Sequence, residues 1–207
     1  MIAYEQELRR NLGWGFLEGS MHFEQASAVH KTMRKVTKRL EELGIPYAIV
    51  GGMALFFHGY QRFTQDVDIL VTPEGLRLIH ERLEGLGYLP PFAGSKHLRD
   101  TDTGVKVEFL TTGDYPGDGK PKPVAFPHPD QCSVEIEGMR FLALPALVEL
   151  KLASGMTNPG RLDDLGDVQK AIRILDLPED FANQLNPFVR DKYKELWAAV
   201  HNNPAEP

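Results

Sequence analysis

A single cysteine, Cys132, stands among 207 residues, so no disulfide within the chain can hold the fold together. Stability has to come from a buried core, and a reducing cytoplasm is the expected location. Long apolar runs are missing as well. No stretch reaches the roughly 20 residues of a membrane span, and residues 1–17 mix Glu5, Glu7, Arg9 and Arg10 with isolated apolar side chains, unlike a secretory signal. Nor is there an excess of positive charge. Lys and Arg number 23 against 29 Asp and Glu, a formal net charge of −6. That balance disfavours a general nucleic-acid binder, which needs a basic surface to displace counterions. No internal repeat is visible. What remains, at 42% hydrophobic residues, is the composition of an ordinary globular domain with room for an appended helical part.

Residues 1–20 read as a loosely attached N-terminal segment. A helix is expected over 25–43, ended by Gly44 ahead of Pro46, with Val29, Met33, Val36, Leu40 and Leu43 on its apolar face. The opposite face carries His30, Lys31, Arg34, Lys35, Lys38 and Arg39. This is either a local nucleic-acid contact or the helix's solvated side. Strands are expected at 48–50, 66–71 and 105–110, with a helix opening at Thr72-Pro73 whose Leu76, Ile79, Leu83 and Leu86 face inward. Five prolines and three glycines between 113 and 129 require a loop. With Lys120, Lys122 and His128 it is either a lid or a solubilising segment. A hairpin around Glu137-Gly138 follows over 133–141, then helices to about 200. The expected class is α/β (α+β): a small mixed sheet flanked by helices over 21–142, and a C-terminal helical region over 143–207.

The most informative residues are Gly51-Gly52 and, after thirteen intervening positions, Asp66-Val67-Asp68-Ile69. Side chains alternate along a strand, so Asp66 and Asp68 share one face while Val67, Ile69 and Val71 take the other. Two carboxylates held so close repel each other unless a cation or open water separates them. A hard ion such as Mg²⁺ or Mn²⁺ takes oxygen ligands of this kind and fills its remaining positions with water and phosphate. Gly51-Gly52 lies between an apolar strand and Met53-Ala54-Leu55-Phe56-Phe57, where glycine lets backbone N–H groups approach a phosphate. A tight turn followed by an exposed strand end would also use these residues. Farther on, the alternation of Val105 to Leu110 puts Lys106 and Glu108 on one face. Glu108 is therefore a candidate third ligand, or a plain solvent-facing acid.

Two helical segments carry further candidates. From Pro145 to about 153, Leu147, Val148, Leu150 and Leu152 form a broad apolar face with Lys151 in its middle. A lysine there either meets an anion or snorkels out to water. In the next helix Leu162, Leu165, Val168, Ile172 and Leu175 recur at helical spacing. Arg161 lies near that stripe and Asp164 at its edge; the acids Asp163, Asp164 and Asp167 also suit a helix N-terminus.

Together, Gly51-Gly52, Asp66-Val67-Asp68-Ile69 and Glu108 resemble the signature of the nucleotidyltransferase superfamily with the DNA polymerase beta type of fold. More narrowly, the run from Arg62 through Thr64 to Leu70 resembles the minimal nucleotidyltransferases and the abortive-infection toxin nucleotidyltransferases. Leu150-Lys151-Leu152-Ala153 with Arg161 to Val168 resembles the second signature of those groups. The match departs in three places: serine is common where Gly52 stands, aspartate where Glu108 stands, and a basic residue where Asp163 stands. The resemblance implies a Mg²⁺- or Mn²⁺-dependent transfer of a nucleoside monophosphate to a hydroxyl of RNA, protein or a small molecule. Asp66, Asp68 and Glu108 would be the metal-binding catalytic acids, and Gly51, Gly52 and Lys151 would contact nucleotide phosphate. Arg62, Thr64, Arg161, Asp164 and Asp167 would support the site. It also implies an antitoxin partner. A catalytically silent nucleotide-binding or antitoxin-like module is the alternative, favoured if Glu108 lies remote from Asp66, and a metal-dependent hydrolase using the same acids is a third.

Overall fold

The computed structural model describes residues 2–202. Seven strands form one mixed sheet: β1 (Tyr47–Val50), β2 (Asp66–Val71), β3 (Tyr88–Leu89), β4 (His97–Asp100), β5 (Lys106–Thr111), β6 (Ser133–Ile136) and β7 (Met139–Leu142). Their order across the sheet is β3-β4-β5-β2-β1-β7-β6, consistent with the expected α/β class. The central strands are the most apolar. Ala48, Ile49, Val67, Ile69, Leu70 and Val107 have no solvent exposure, as expected of strands covered on both sides. β2 is antiparallel to β1 and parallel to β5. The parallel pair needs a crossover, and α5 (Pro73–Leu83) begins it. Thr72 caps that helix by accepting the Gly75 N–H. The helix stops at Leu83, so Leu86, expected to face inward, falls beyond it and is exposed.

Strands β3 and β4 carry no clear apolar alternation. In β4 the inward positions are Leu98 and Asp100, and a buried aspartate reads as a loop until its partner is known. That partner is Lys35, whose ammonium lies 3.0 Å from Asp100 and 2.7 Å from Asp102.

The N-terminal segment is not loosely attached. α1 (Tyr4–Arg10) and α2 (Leu12–Phe23) pack on the domain. Tyr4 is fully buried and donates its hydroxyl to Glu18 at 3.0 Å, and Glu18 also accepts the Ala28 N–H. Glu5 pairs with Arg99 at 2.8 Å. These anchors lie far away in the sequence, so no local pattern announces them. The next helix, α3 (Ala28–Glu42), starts later than expected because Gln25 has a φ of 57°, outside helical space. Its basic face is also reduced. His30 is completely buried against His22 of α2, with ring centroids 4.7 Å apart. Lys35 and Arg39 are paired, and Arg34 donates to the Gln25 carbonyl.

After β1 comes α4 (Gly51–Phe57). The C-terminal part comprises α6 (Leu144–Thr157), α7 (Leu162–Ile174) and α8 (Pro187–Asn202). The loop expected over 113–129 runs to residue 128, where a short 3-10 helix (Pro129–Gln131) begins, and it is clamped to the C-terminal helices. Lys122, read from sequence as exposed, has a buried side chain that donates to the Pro116 carbonyl and to Thr157 of α6. Asn158 and Asn186 hold the Gly117 and Pro123 carbonyls at 3.0 and 3.2 Å. Among the described residues no helix is long and apolar enough to cross a membrane.

Candidate active site

β2 and β5 run side by side in register, Asp66 opposite Lys106 and Asp68 opposite Glu108. In-register parallel strands present the same face at each level, so all four polar side chains point to one side. Asp66, Asp68 and Glu108 thereby each offer a carboxylate oxygen within 4.8 Å of the others. Neighbours of Glu108 in sequence left its role undecided; strand pairing brings it to the other two acids. The three acids lie in a cleft of about 700 Å³ between this end of the sheet and helices α6 and α7.

Gly51-Gly52 adjoins them for a steric reason. Gly51 has a φ of 63°, a conformation that glycine adopts without the Cβ clash. A Cβ there would stand 2.0 Å from Oδ2 of Asp68. At Gly52 it would stand 2.9 Å from Oγ1 of Thr64 and 3.0 Å from Nη2 of Arg62. Thr64 in turn donates to Asp66 at 3.0 Å. The glycine pair thus lets β1 turn into α4 directly against the acids and the residues supporting them.

Three clustered carboxylates generate a strong negative field. The Asp68 carboxyl is pushed up to about 7, first by burial and then by the charges of Asp66 and Glu108. Glu108 moves the other way. Burial would raise it, but the hydrogen bond and charge of Lys106, with smaller effects from His97 and Arg161, hold it below the usual range. The Lys106 ammonium sits 2.7 Å from Glu108 and 3.3 Å from Asp66. Oxygen-only donors at this spacing fit a hard divalent cation, and the lysine ammonium beside them shows that the cluster accommodates positive charge.

The opposite wall comes from α6 and α7. Lys151 does not snorkel: its side chain is 9% exposed and donates to Asp164 and Asp167, each at 2.8 Å. Ser154 donates to the other oxygen of Asp164 at 2.7 Å, and Arg62 reaches Asp167 at 3.1 Å. For Asp164, burial is outweighed by the charge and hydrogen bond of Lys151, leaving its carboxyl below the usual range. Arg161 is exposed and lines the cleft. The residues that the resemblance assigns to the site all line one cleft, largely in two clusters, whereas the basic residues of α3 and Lys120, Lys122 and His128 do not line it. Asp66, Asp68 and Glu108 form one with Gly51 and Thr64; Lys151, Asp164 and Asp167 form the other, and Arg62 reaches from beside Gly52 to Asp167.

Sequence reasoning gave no role to Lys106, Ser154 or His22. His22 bonds the Arg62 carbonyl at 3.0 Å and so braces the loop before β2. The alternation that drew attention to Glu108 also placed Lys106 on its face. For His22 and Ser154 no local signal exists.

A family model described as uncharacterised nucleotidyltransferase matches residues 18–150. Among curated proteins there is no match. A Thermotoga maritima structure described as a candidate nucleotidyltransferase is 21% identical, covering 70% of this chain and 89% of its own, with a TM-score of 0.41. JHP933 from Helicobacter pylori is 19% identical, with coverage of 84% and 77% and a TM-score of 0.45. ANT(2")-Ia, solved with adenylyl-2"-tobramycin, is 15% identical, with coverage of 84% and 98% and a TM-score of 0.41. The family model spans well over half of the chain and takes in Gly51, Gly52, Asp66, Asp68 and Glu108, and on that match the chain belongs to the uncharacterised nucleotidyltransferase family.

Proposed function

We propose that this protein is a Mg²⁺- or Mn²⁺-dependent nucleotidyltransferase that moves a nucleoside monophosphate from a nucleoside triphosphate to an acceptor hydroxyl. The observation carrying this reading is the convergence of three carboxylate oxygens within 4.8 Å, beside a glycine turn with no room for a side chain. The acceptor oxygen bonds to the α-phosphorus, the bond from that phosphorus to the α–β bridging oxygen breaks, and pyrophosphate leaves. Divalent ions, when bound, supply charge for the attacking and leaving oxygens of such a displacement. Asp66 and Asp68 would hold them, with Glu108 as third ligand or as the group that takes the acceptor's proton. The backbone at Gly51-Gly52 would face the phosphates. Lys151 has three N–H donors. Asp164 and Asp167 take two of them, which leaves one for a phosphate oxygen, while Arg62, Thr64 and Arg161 support the two walls.

The acceptor class within this reading is RNA, protein or a small hydroxyl compound. The narrower kinship with abortive-infection toxin nucleotidyltransferases rests on the motifs at 62–70 and 150–168, and it carries the proposal of a cytoplasmic toxin with an antitoxin partner. A catalytically silent module was tied to a Glu108 remote from Asp66, and the distance between the acids does not favour it. The test is incubation with Mg²⁺ or Mn²⁺, each α-labelled nucleoside triphosphate, and RNA and protein acceptors. Label transfer is expected, and it should vanish when Asp66→Asn and Asp68→Asn are combined. Transfer that survives the double change overturns the mechanism.

A further inference from the structure

Lys106 is the one cation among the described residues that ion-pairs with the acid cluster, and both of its ion-pair partners belong to that cluster: Glu108 at 2.7 Å and Asp66 at 3.3 Å. Of the other cleft cations, Lys151 pairs with Asp164 and Asp167 and Arg62 with Asp167, while Arg161 and Lys170 line the cleft without an ion pair to the three acids. β2 and β5 are already joined along six register positions from Asp66–Lys106 to Val71–Thr111, and a partly exposed ion pair adds little stability to such a pairing. What Lys106 does is screen two acids that would otherwise face each other and Asp68 unshielded. Its side chain is 27% exposed, so the ammonium has a path into the cleft.

We propose that Lys106 is a built-in counter-ion that occupies the acid cluster until a divalent cation displaces it, and that the freed ammonium then serves the triphosphate. This rests on the metal-dependent reading above. Metal loading would then be a cation exchange: Asp66 and Glu108 would hold the ion, and the Lys106 ammonium would lose both of its partners. It stays on the same face of β5, lining the cleft that Gly51 and Gly52 also line across β2. The new partner is anionic, so the exchange couples metal binding to nucleotide binding. Lys106 is here a positioning residue with opposite effects on the two ligands, competing with metal and assisting nucleotide.

Opposite effects make the idea testable apart from catalysis. Mn²⁺ affinity is measured by calorimetry on the full chain for wild type, Lys106→Met, which keeps the stem without the charge, and Lys106→Arg, whose fork grips carboxylates more firmly. Without nucleotide, Lys106→Met should bind Mn²⁺ about tenfold more tightly than wild type, and Lys106→Arg more weakly. With Mn²⁺ saturating, Lys106→Met should bind a nucleoside triphosphate more weakly than wild type. A structural role would give Lys106→Met equal or weaker Mn²⁺ binding, and that result overturns the proposal while leaving the metal site intact. If wild type and Lys106→Met both fail to bind Mn²⁺, the metal-dependent reading falls and the exchange falls with it. Should Lys106→Met not fold, Lys106→Arg decides alone: Mn²⁺ binding as tight as that of wild type overturns the exchange.

Discussion

Replacing Gly51 by alanine separates the cost of a backbone conformation from the cost of a misplaced ligand. Gly51 and Gly44 have φ values of 63° and 64°, so an alanine at either position meets the same left-handed penalty of roughly 1–2 kcal/mol. At about 2–4 °C per kcal/mol for a chain of this size, both variants should melt several degrees early. Their surroundings differ. A Cβ at Gly44 meets nothing within 4 Å, whereas at Gly51 it stands 2.0 Å from Oδ2 of Asp68. Real Cβ contacts do not fall below 3.0 Å, so the carboxylate must retreat by about 1 Å. Misplacement on that scale costs roughly 100-fold in rate for a group that positions reactants. Gly51→Ala should therefore lose label transfer by about that factor and bind Mn²⁺ more weakly, while Gly44→Ala keeps both. Urea denaturation reads the shared stability loss; calorimetry and the transfer assay read the difference. A Gly51→Ala protein with wild-type Mn²⁺ affinity and transfer rate would refute the reasoning, as would an equal functional loss in Gly44→Ala.

Two other predictions concern the frame. Burial, then the charges of His22 and Arg34, pushes the His30 imidazole down to about 3, so between pH 6.5 and 3 the unfolded chain binds the extra proton. The contribution of this group should be flat above pH 6.5 and fall on acidification by up to about 1.4 kcal/mol per pH unit, with His22, also lowered by burial, adding in the same direction and Asp68, raised to about 7, opposing both. Urea midpoints at pH 7.5, 6.5 and 5.5 should show a shallower fall in His30→Gln, and equal slopes would sink the idea. Lys122→Met should cost about 1–3 kcal/mol, because it leaves the Pro116 carbonyl without its partner. It should also open residues 113–127 to limited proteolysis; an unchanged digestion pattern would show that the clamp is unimportant.

The parts of this protein legible in its sequence are those set by short periods. Alternation at 66–71 and 105–110 assigned Asp66, Asp68, Lys106 and Glu108 to faces before any strand was paired, and 3.6-residue spacing placed Lys151 within an apolar helix face. Turn chemistry marked Gly51-Gly52 and the loop at 113–129. What failed locally failed because the compensating partner was distant. Asp100 is buried in β4 only because Lys35 reaches it, and Tyr4 is buried only because Glu18 and the Gly104 carbonyl meet it. His30 is buried only because α2 folds over it. Lys122 reads as exposed until Thr157 is known to sit beside it.

The same division runs through the site. Chemistry was determined by the sequence alone: which residues are acids, which glycines have no Cβ, and which face each side chain takes. Convergence was decided by the tertiary structure, because the parallel register of β2 and β5 puts Glu108 opposite Asp68, and the packing of α6 against α7 gives the Lys151 ammonium two carboxylates to hold it. Periodicity constrains direction within one element. Only the pairing of elements constrains the distances between side chains of different elements, and a three-carboxylate cluster is a matter of distance.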